Sequence, residues 1–193
     1  MKYICSLLVK PRYLLTAAVV FGAMLTILII IFPVLYRDSV NYMASVNAVW
    51  LGNWKTAFNI TFVPFLFITS SFFKLFGLNA NQCLSLVSSI FSIGMIFPAY
   101  RILHFFLNRR AAALGSVLFF MASPILNYGF APLTDSGRWF FMLTCLMLIF
   151  DYLRSGKKFL LFFLIVLSEC FLAFWLPWHL KLDRMWAEQV AQQ

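Results

Sequence analysis

Residues 13–35 read YLLTAAVVFGAMLTILIIIFPVL, and the seven that follow, Tyr36–Tyr42, read YRDSVNY. The first run has 23 residues and no charge, whereas a helix needs only about 20 apolar residues to cross the hydrocarbon core of a bilayer. Its abrupt end in an arginine and an aspartate is what an apolar span leaving the lipid requires, since charged groups at the bilayer centre are costly.

The rest of the chain repeats this contrast. Of 193 residues 63% are hydrophobic and 11% charged, with 24 phenylalanines, which is more apolar surface than a soluble domain of this size can hide. The expected class is all-α, a polytopic transmembrane helix bundle, because the apolar runs are continuous where a β-barrel would show short alternating segments. Lys2, Lys10 and Arg12 precede the first run as they would in a signal peptide. That run exceeds a signal h-region in length and Tyr36-Arg37 is a poor cleavage site, so a retained signal-anchor is expected. The four cysteines, Cys5, Cys83, Cys145 and Cys170, lack CxxC spacing, and neither a zinc site nor a disulfide framework is expected. The net charge of +9 comes from basic residues placed between spans, so the expected partner is membrane lipid and not nucleic acid.

Hydropathy predicts five spans, at about 13–35, 82–103, 111–128, 139–153 and 159–178, followed by a polar tail over 179–193. The apolar piece 60–76, interrupted by Pro64 and carrying Lys74, is read as an interfacial helix. With that choice Lys2, Lys10, Arg12, Arg101, Arg109, Arg110, Arg154, Lys157 and Lys158 share the cytoplasmic side, nine against the six remaining Lys and Arg, as the positive-inside rule asks. A second interfacial helix is predicted over 39–53, where Val40, Met43, Val46, Val49 and Trp50 recur at helical spacing. Ser39 is its expected cap, Asp38 suits its positive end, and its apolar stripe is expected to dip into the headgroups.

Under this topology Asp38 follows the outer end of the first span and Asp135 precedes the outer end of the fourth, with Arg37 and Arg138 beside them. Two carboxylates and two guanidinium groups facing one compartment suit group transfer at a membrane surface. A carboxylate takes a proton from an incoming hydroxyl or amine, and arginine holds a phosphate leaving group. The plainer reading is that Arg37 and Asp38 only mark a helix end. Glu169, in the middle of the fifth span, is either a proton-path residue or a carboxyl hydrogen-bonded to a neighbouring helix. Asp151, three residues before Arg154, is expected to pair with it along one helix face. His104 and His179 are expected to anchor span ends, and the Asn59-Ile60-Thr61 sequon is a weak glycosylation match.

Several pieces in order resemble a known family. RDSVNYMASVNAVWLGNW (37–54) is similar to the first outer loop of the GT-C membrane glycosyltransferases, in the branch of the protein O-mannosyltransferases and the lipid A aminoarabinose transferase. FVPFLFITSSFFKLFG (62–77) resembles the stretch in which prolines precede an aromatic run and a Lys/Arg-Leu-Phe-Gly turn. RRAAALGSVLFFMASPILNYGFAPLTDSGRWFFMLTCLMLIF (109–150) resembles the succession of basic residues, small-residue span, Ser-Pro and Thr-Asp. The resemblance implies inverting transfer of a sugar from a polyprenyl-phosphate donor to an acceptor on the extracytoplasmic face, in a bacterial inner membrane. It implies Asp38 as general base, Asp135 as the second acidic position, and Arg37 and Tyr42 as substrate contacts. Arg138 is a candidate phosphate contact by proximity alone. The chain departs from the family in having Pro64 alone and Ser39 where a second acidic residue is usual. Family members continue through further spans, so the chain is expected to match their N-terminal portion. The alternative readings are a non-catalytic membrane protein that binds lipid or scaffolds a partner, and a transporter component using Glu169.

Overall fold

The computed structural model describes residues 10–32, 35–53, 64–131 and 135–166, and among these every regular element is helical. α1 spans Pro11–Ile31, α2 Arg37–Trp50, α3 Pro64–Phe73, α4 Ala80–Gly94, α5 Ile96–Phe106, α6 Arg109–Phe120, α7 Ser123–Tyr128 and α8 Asp135–Ser155. Helical backbone resumes over 158–166.

Three helical stretches are long and apolar enough to cross a membrane: α1, the near-continuous α4–α5 stretch Ala80–Phe106 of 27 residues, and α8. α1 begins on a proline at its first turn, where the missing N–H costs nothing. It stops at Ile31, short of the expected Leu35, because Pro33 disfavours helical backbone at the residue before it. The break between α4 and α5 has a similar cause. Pro98 cannot donate to the carbonyl of Gly94, and the chain pauses at Met95 before Ile96 resumes the helix. Asn79 and Gln82 open α4 with a reciprocal pair: the Gln82 N–H donates to Asn79 Oδ1 at 2.9 Å, and the Asn79 N–H to Gln82 Oε1 at 3.1 Å.

The span expected over 111–128 is two helices. α6 has 12 residues, about 18 Å of rise, against about 30 Å of hydrocarbon. Met121 and Ala122 interrupt it, and α7 starts afresh with Pro124 in its first turn. Of the span expected over 159–178 only 159–166 falls among the described residues, where it is helical. Glu169, His179 and the sequon at Asn59 lie outside them.

Small and polar residues share the interior with apolar ones, while many large apolar side chains face outward. α1 buries Ala18, Gly22 and Thr26, spaced by four, and turns its large side chains outward: Ala18 is 4% exposed, Met24 60% and Ile27 58%. Small residues at that spacing let helices approach closely where no solvent drives them together. Gly22 is the contact point, since a Cβ there would lie 2.7 Å from Cγ1 of Ile93. α4 likewise buries Ser85, Ser88, Ser89 and Ser92 and leaves Ile90 exposed. Some buried hydroxyls are satisfied along their own helices: Ser89 donates to the Ser85 carbonyl at 2.7 Å and Thr26 to that of Gly22 at 2.9 Å. Large apolar side chains exposed along helices of this length are what a lipid-facing surface requires.

Two cores result. Ala18, Met95, Ile96, Phe120, Ile125 and Phe130 join α1, α5, α6 and α7, with Trp139 and Phe140 of α8 packed against them. Val46, Val49, Phe67, Ala80, Leu84 and Val87 join α2 and α3 to the first half of α4. The apolar stripe of α2, expected to meet headgroups, is therefore covered by protein at Val46 and Val49, whereas Val40 is exposed. Trp50 lies beneath the Lys74 ammonium, 4.6 Å from its ring centroid. Lys74–Phe76 forms one 3₁₀ turn closed by Gly77 at φ 76°, a left-handed position that suits glycine.

Candidate functional site

The start of α2 is tied to the end of α7. The Tyr36 hydroxyl donates to the Asn127 carbonyl at 3.1 Å, and the rings of Tyr36 and Tyr128 lie 5.4 Å apart. Tyr36 is the residue flanking α2. Ser39, expected as the cap, lies three residues further on inside the helix, where its Oγ accepts from the Tyr36 N–H at 3.2 Å. The correction is one of register: the helix begins two residues earlier than its apolar stripe suggests, and the serine reaches back instead of capping forward.

Asp38 falls in the first turn of α2, where the helix dipole favours negative charge. It is exposed and makes no hydrogen bond or ion pair among the described residues. An unshielded carboxylate of this kind is open to an approaching donor. Tyr42, one turn on, is half-buried and packs against the Val46, Phe67 and Leu84 cluster.

Asp135 is the first residue of α8 and faces Arg138 one turn along, Nη1 to Oδ1 3.7 Å. Between them Ser136 is fully buried and its hydroxyl has no partner among the described residues. Leaving such a group unpaired costs about 1–3 kcal/mol. Trp139 follows and helps line an apolar cavity of about 250 Å³ with Phe119, Ala122, Ile125, Met142 and Leu143. One turn of α8 thus presents a carboxylate, a guanidinium and an apolar recess in succession, a feature that hydropathy alone does not disclose. α8 is held in place by Phe91, whose ring lies 5.5 Å from that of Phe140 and 5.7 Å from that of Phe141.

Both acidic candidates therefore open helices that adjoin α7, Asp38 through Tyr36 and Asp135 through the core shared with Ile125. Asp151, expected to pair with Arg154, binds Arg101 of α5 instead, at 2.8 Å from Nη2 to each carboxylate oxygen. That interhelical pair prevails because Arg101 approaches both oxygens, where an i,i+3 neighbour on the same helix is worth only a few tenths of a kcal/mol, about 0.2–0.5. His104 stacks on Tyr100 at 5.7 Å, and its Nδ1 lies 3.2 Å from the Leu107 carbonyl.

Compared with known protein families, with curated proteins and with solved structures, the chain shows no match, so its likeness to the GT-C enzymes stands on the ordered motifs alone.

Proposed function

We propose that the chain is a membrane glycosyltransferase module that moves a sugar from a polyprenyl-phosphate donor to a hydroxyl or amine acceptor at the extracytoplasmic face. The observation that carries this reading is the first turn of α8, where Asp135 faces Arg138 and is followed by Trp139 and Met142 of the apolar cavity. An isoprenoid chain suits that recess, and a guanidinium on the same turn of helix suits the phosphate the chain bears. In this reading α2 and α3 rest at the membrane surface, and 111–128 and 159–178 complete five spans.

Asp38 is the general base. The acceptor oxygen or nitrogen attacks the anomeric carbon as the bond from that carbon to the phosphate oxygen breaks. The electron pair leaves with the polyprenyl phosphate, stabilised by Arg138 and Arg37, and the acceptor proton passes to the Asp38 carboxylate. Its exposure, and the lack of an ion pair to it among the described residues, keep that carboxylate available.

The test uses the full chain in proteoliposomes loaded with a panel of undecaprenyl-phosphate sugars, reading release of undecaprenyl phosphate. Release that falls at least a hundredfold in Asp38→Asn supports the reading. Undecaprenyl phosphate bound without sugar release from any donor would overturn it in favour of a lipid-binding protein.

A further inference from the structure

At the other end of α1, about 31 Å from the Asp38 end, lies a second cavity of about 570 Å³, bounded by Lys10, Pro11, Arg12, Leu15, Tyr100, Arg101, His104 and Arg109. Three helix ends meet there: the starts of α1 and α6 and the last turns of α5. The cations at the two starts are poorly placed for their own helices, because a helix N-terminus carries about half a positive charge that Lys10, Arg12 and Arg109 reinforce. A cavity of this volume is about 8 Å across, so its charges lie within roughly one Debye length and repel one another.

Asp151 offsets the charge of Arg101, and protein groups relieve little of the other three. Asp151 is engaged by Nη2 of Arg101 alone, leaving Nη1 and Nε without a partner among the described residues. Arg12 donates to the Tyr13 hydroxyl at 3.1 Å and lies 4.8 Å from that ring's centroid, contacts that hold it without neutralising it. Lys10 and Arg109 make no side-chain hydrogen bond or ion pair among the described residues. Four cations of different helices converging on one space, with two helix N-termini behind them, form an anion site.

We infer that this cavity binds the phosphate of an anionic membrane phospholipid. Pro11, Leu15 and Tyr100 supply an apolar wall, and α1 continues from it with exposed Val19 and Val20, along which an acyl chain runs. A soluble anion would have no use for that wall. A role in setting topology needs only basic residues near span ends, not their convergence on a cavity from three helices. The site stands apart from the transferase reading, since neither Asp38 nor Arg138 contributes to it.

The full chain, purified in mild detergent, is examined by native mass spectrometry with phosphatidylglycerol, phosphatidylcholine or inorganic phosphate as probe. Phosphatidylglycerol is expected to stay bound in preference to phosphatidylcholine. Its affinity should drop roughly thirtyfold in the double variant Lys10→Gln, Arg109→Gln. Arg154→Gln with Lys158→Gln removes two charges that do not line the cavity and should leave binding within a factor of two. The charge-preserving pair Lys10→Arg, Arg109→Lys separates loss of charge from loss of fold and should retain the lipid. Equal loss in the Arg154, Lys158 variant, equal binding of both lipids, or inorganic phosphate binding as tightly as phosphatidylglycerol would each overturn the assignment.

Discussion

Arg101 and Asp151 join α5 to α8 across fifty positions of sequence, with Nη2 2.8 Å from both carboxylate oxygens. The arginine side chain is 44% exposed and the aspartate 24%, so water screens the pair and its worth is that of an exposed ion pair. A double-mutant cycle of Arg101→Ala and Asp151→Ala, read by thermal unfolding in detergent, should give a coupling of about 0.5–1 kcal/mol. The reversed pair Arg101→Asp, Asp151→Arg should recover part of it, and a coupling of zero would show that the contact is incidental.

Gly22 is where α1 meets the bundle. A methyl group there would lie 2.7 Å from Ile93 Cγ1 and 3.1 Å from Phe120 Cζ. Phe120 is fully buried and has little space to yield into. Gly22→Ala is therefore expected to destabilise by about 1–3 kcal/mol, and Ile93→Ala in the same chain should return more than half of that loss. Denaturant unfolding of the two single variants and the double variant measures both effects.

The Tyr36 hydroxyl links the start of α2 to the backbone of Asn127. Tyr36→Phe keeps the ring against Tyr128 and removes only that bond, at a cost of about 0.5–1.5 kcal/mol. Because the loss is local, amide exchange should quicken in the first turn of α2 while α4 stays protected.

Asp38 and Asp135 should separate under the same change. Asp38→Asn forfeits only a helix-end charge effect, about 0.3–1 kcal/mol, because its carboxylate has no partner among the described residues. Asp135→Asn gives up the contact with Arg138 as well. Near-unchanged melting of Asp38→Asn together with lost sugar release would make Asp38 a chemical residue. Parallel loss of stability and activity would make it a structural one.

How much of this was legible beforehand depends on the distance over which the cause acts. The uncharged run before Tyr36 announces α1, and Pro33 accounts for where it stops, since both are local effects. The helical starts at Arg37 and Asp135 come two and four residues before the expected 39 and 139, because each first turn takes in polar residues that an apolar stripe leaves out. Hydropathy, however, measures apolar length and not continuity, so it merges α6 and α7 across the interruption at Met121 and Ala122. It also assigns the stripe of Val46 and Val49 to lipid when Phe67 and Leu84 cover it. Spacing favours Arg154 for Asp151, and only the fold brings Arg101 to it. The apolar recess beside Arg138 draws on α6, α7 and α8 together, so nothing in one segment foretells it.

The course of α1 makes the topology accessible to labelling. Lys10 and Arg101 line one cavity, and Arg101 binds Asp151 one turn before Arg154, so Lys10 and Arg154 lie at the same end of the bundle. Asn41, exposed on α2, lies beyond the other end of α1. With α1 crossing the bilayer, Lys10→Cys and Arg154→Cys should react with an impermeant maleimide from one side only and Asn41→Cys from the other. These measurements use a background freed of Cys5, Cys83, Cys145 and Cys170. If the reagent reached Lys10→Cys and Asn41→Cys from the same side, α1 would lie along the membrane, and the separation of the two lipid-facing cavities onto opposite surfaces would fail with it.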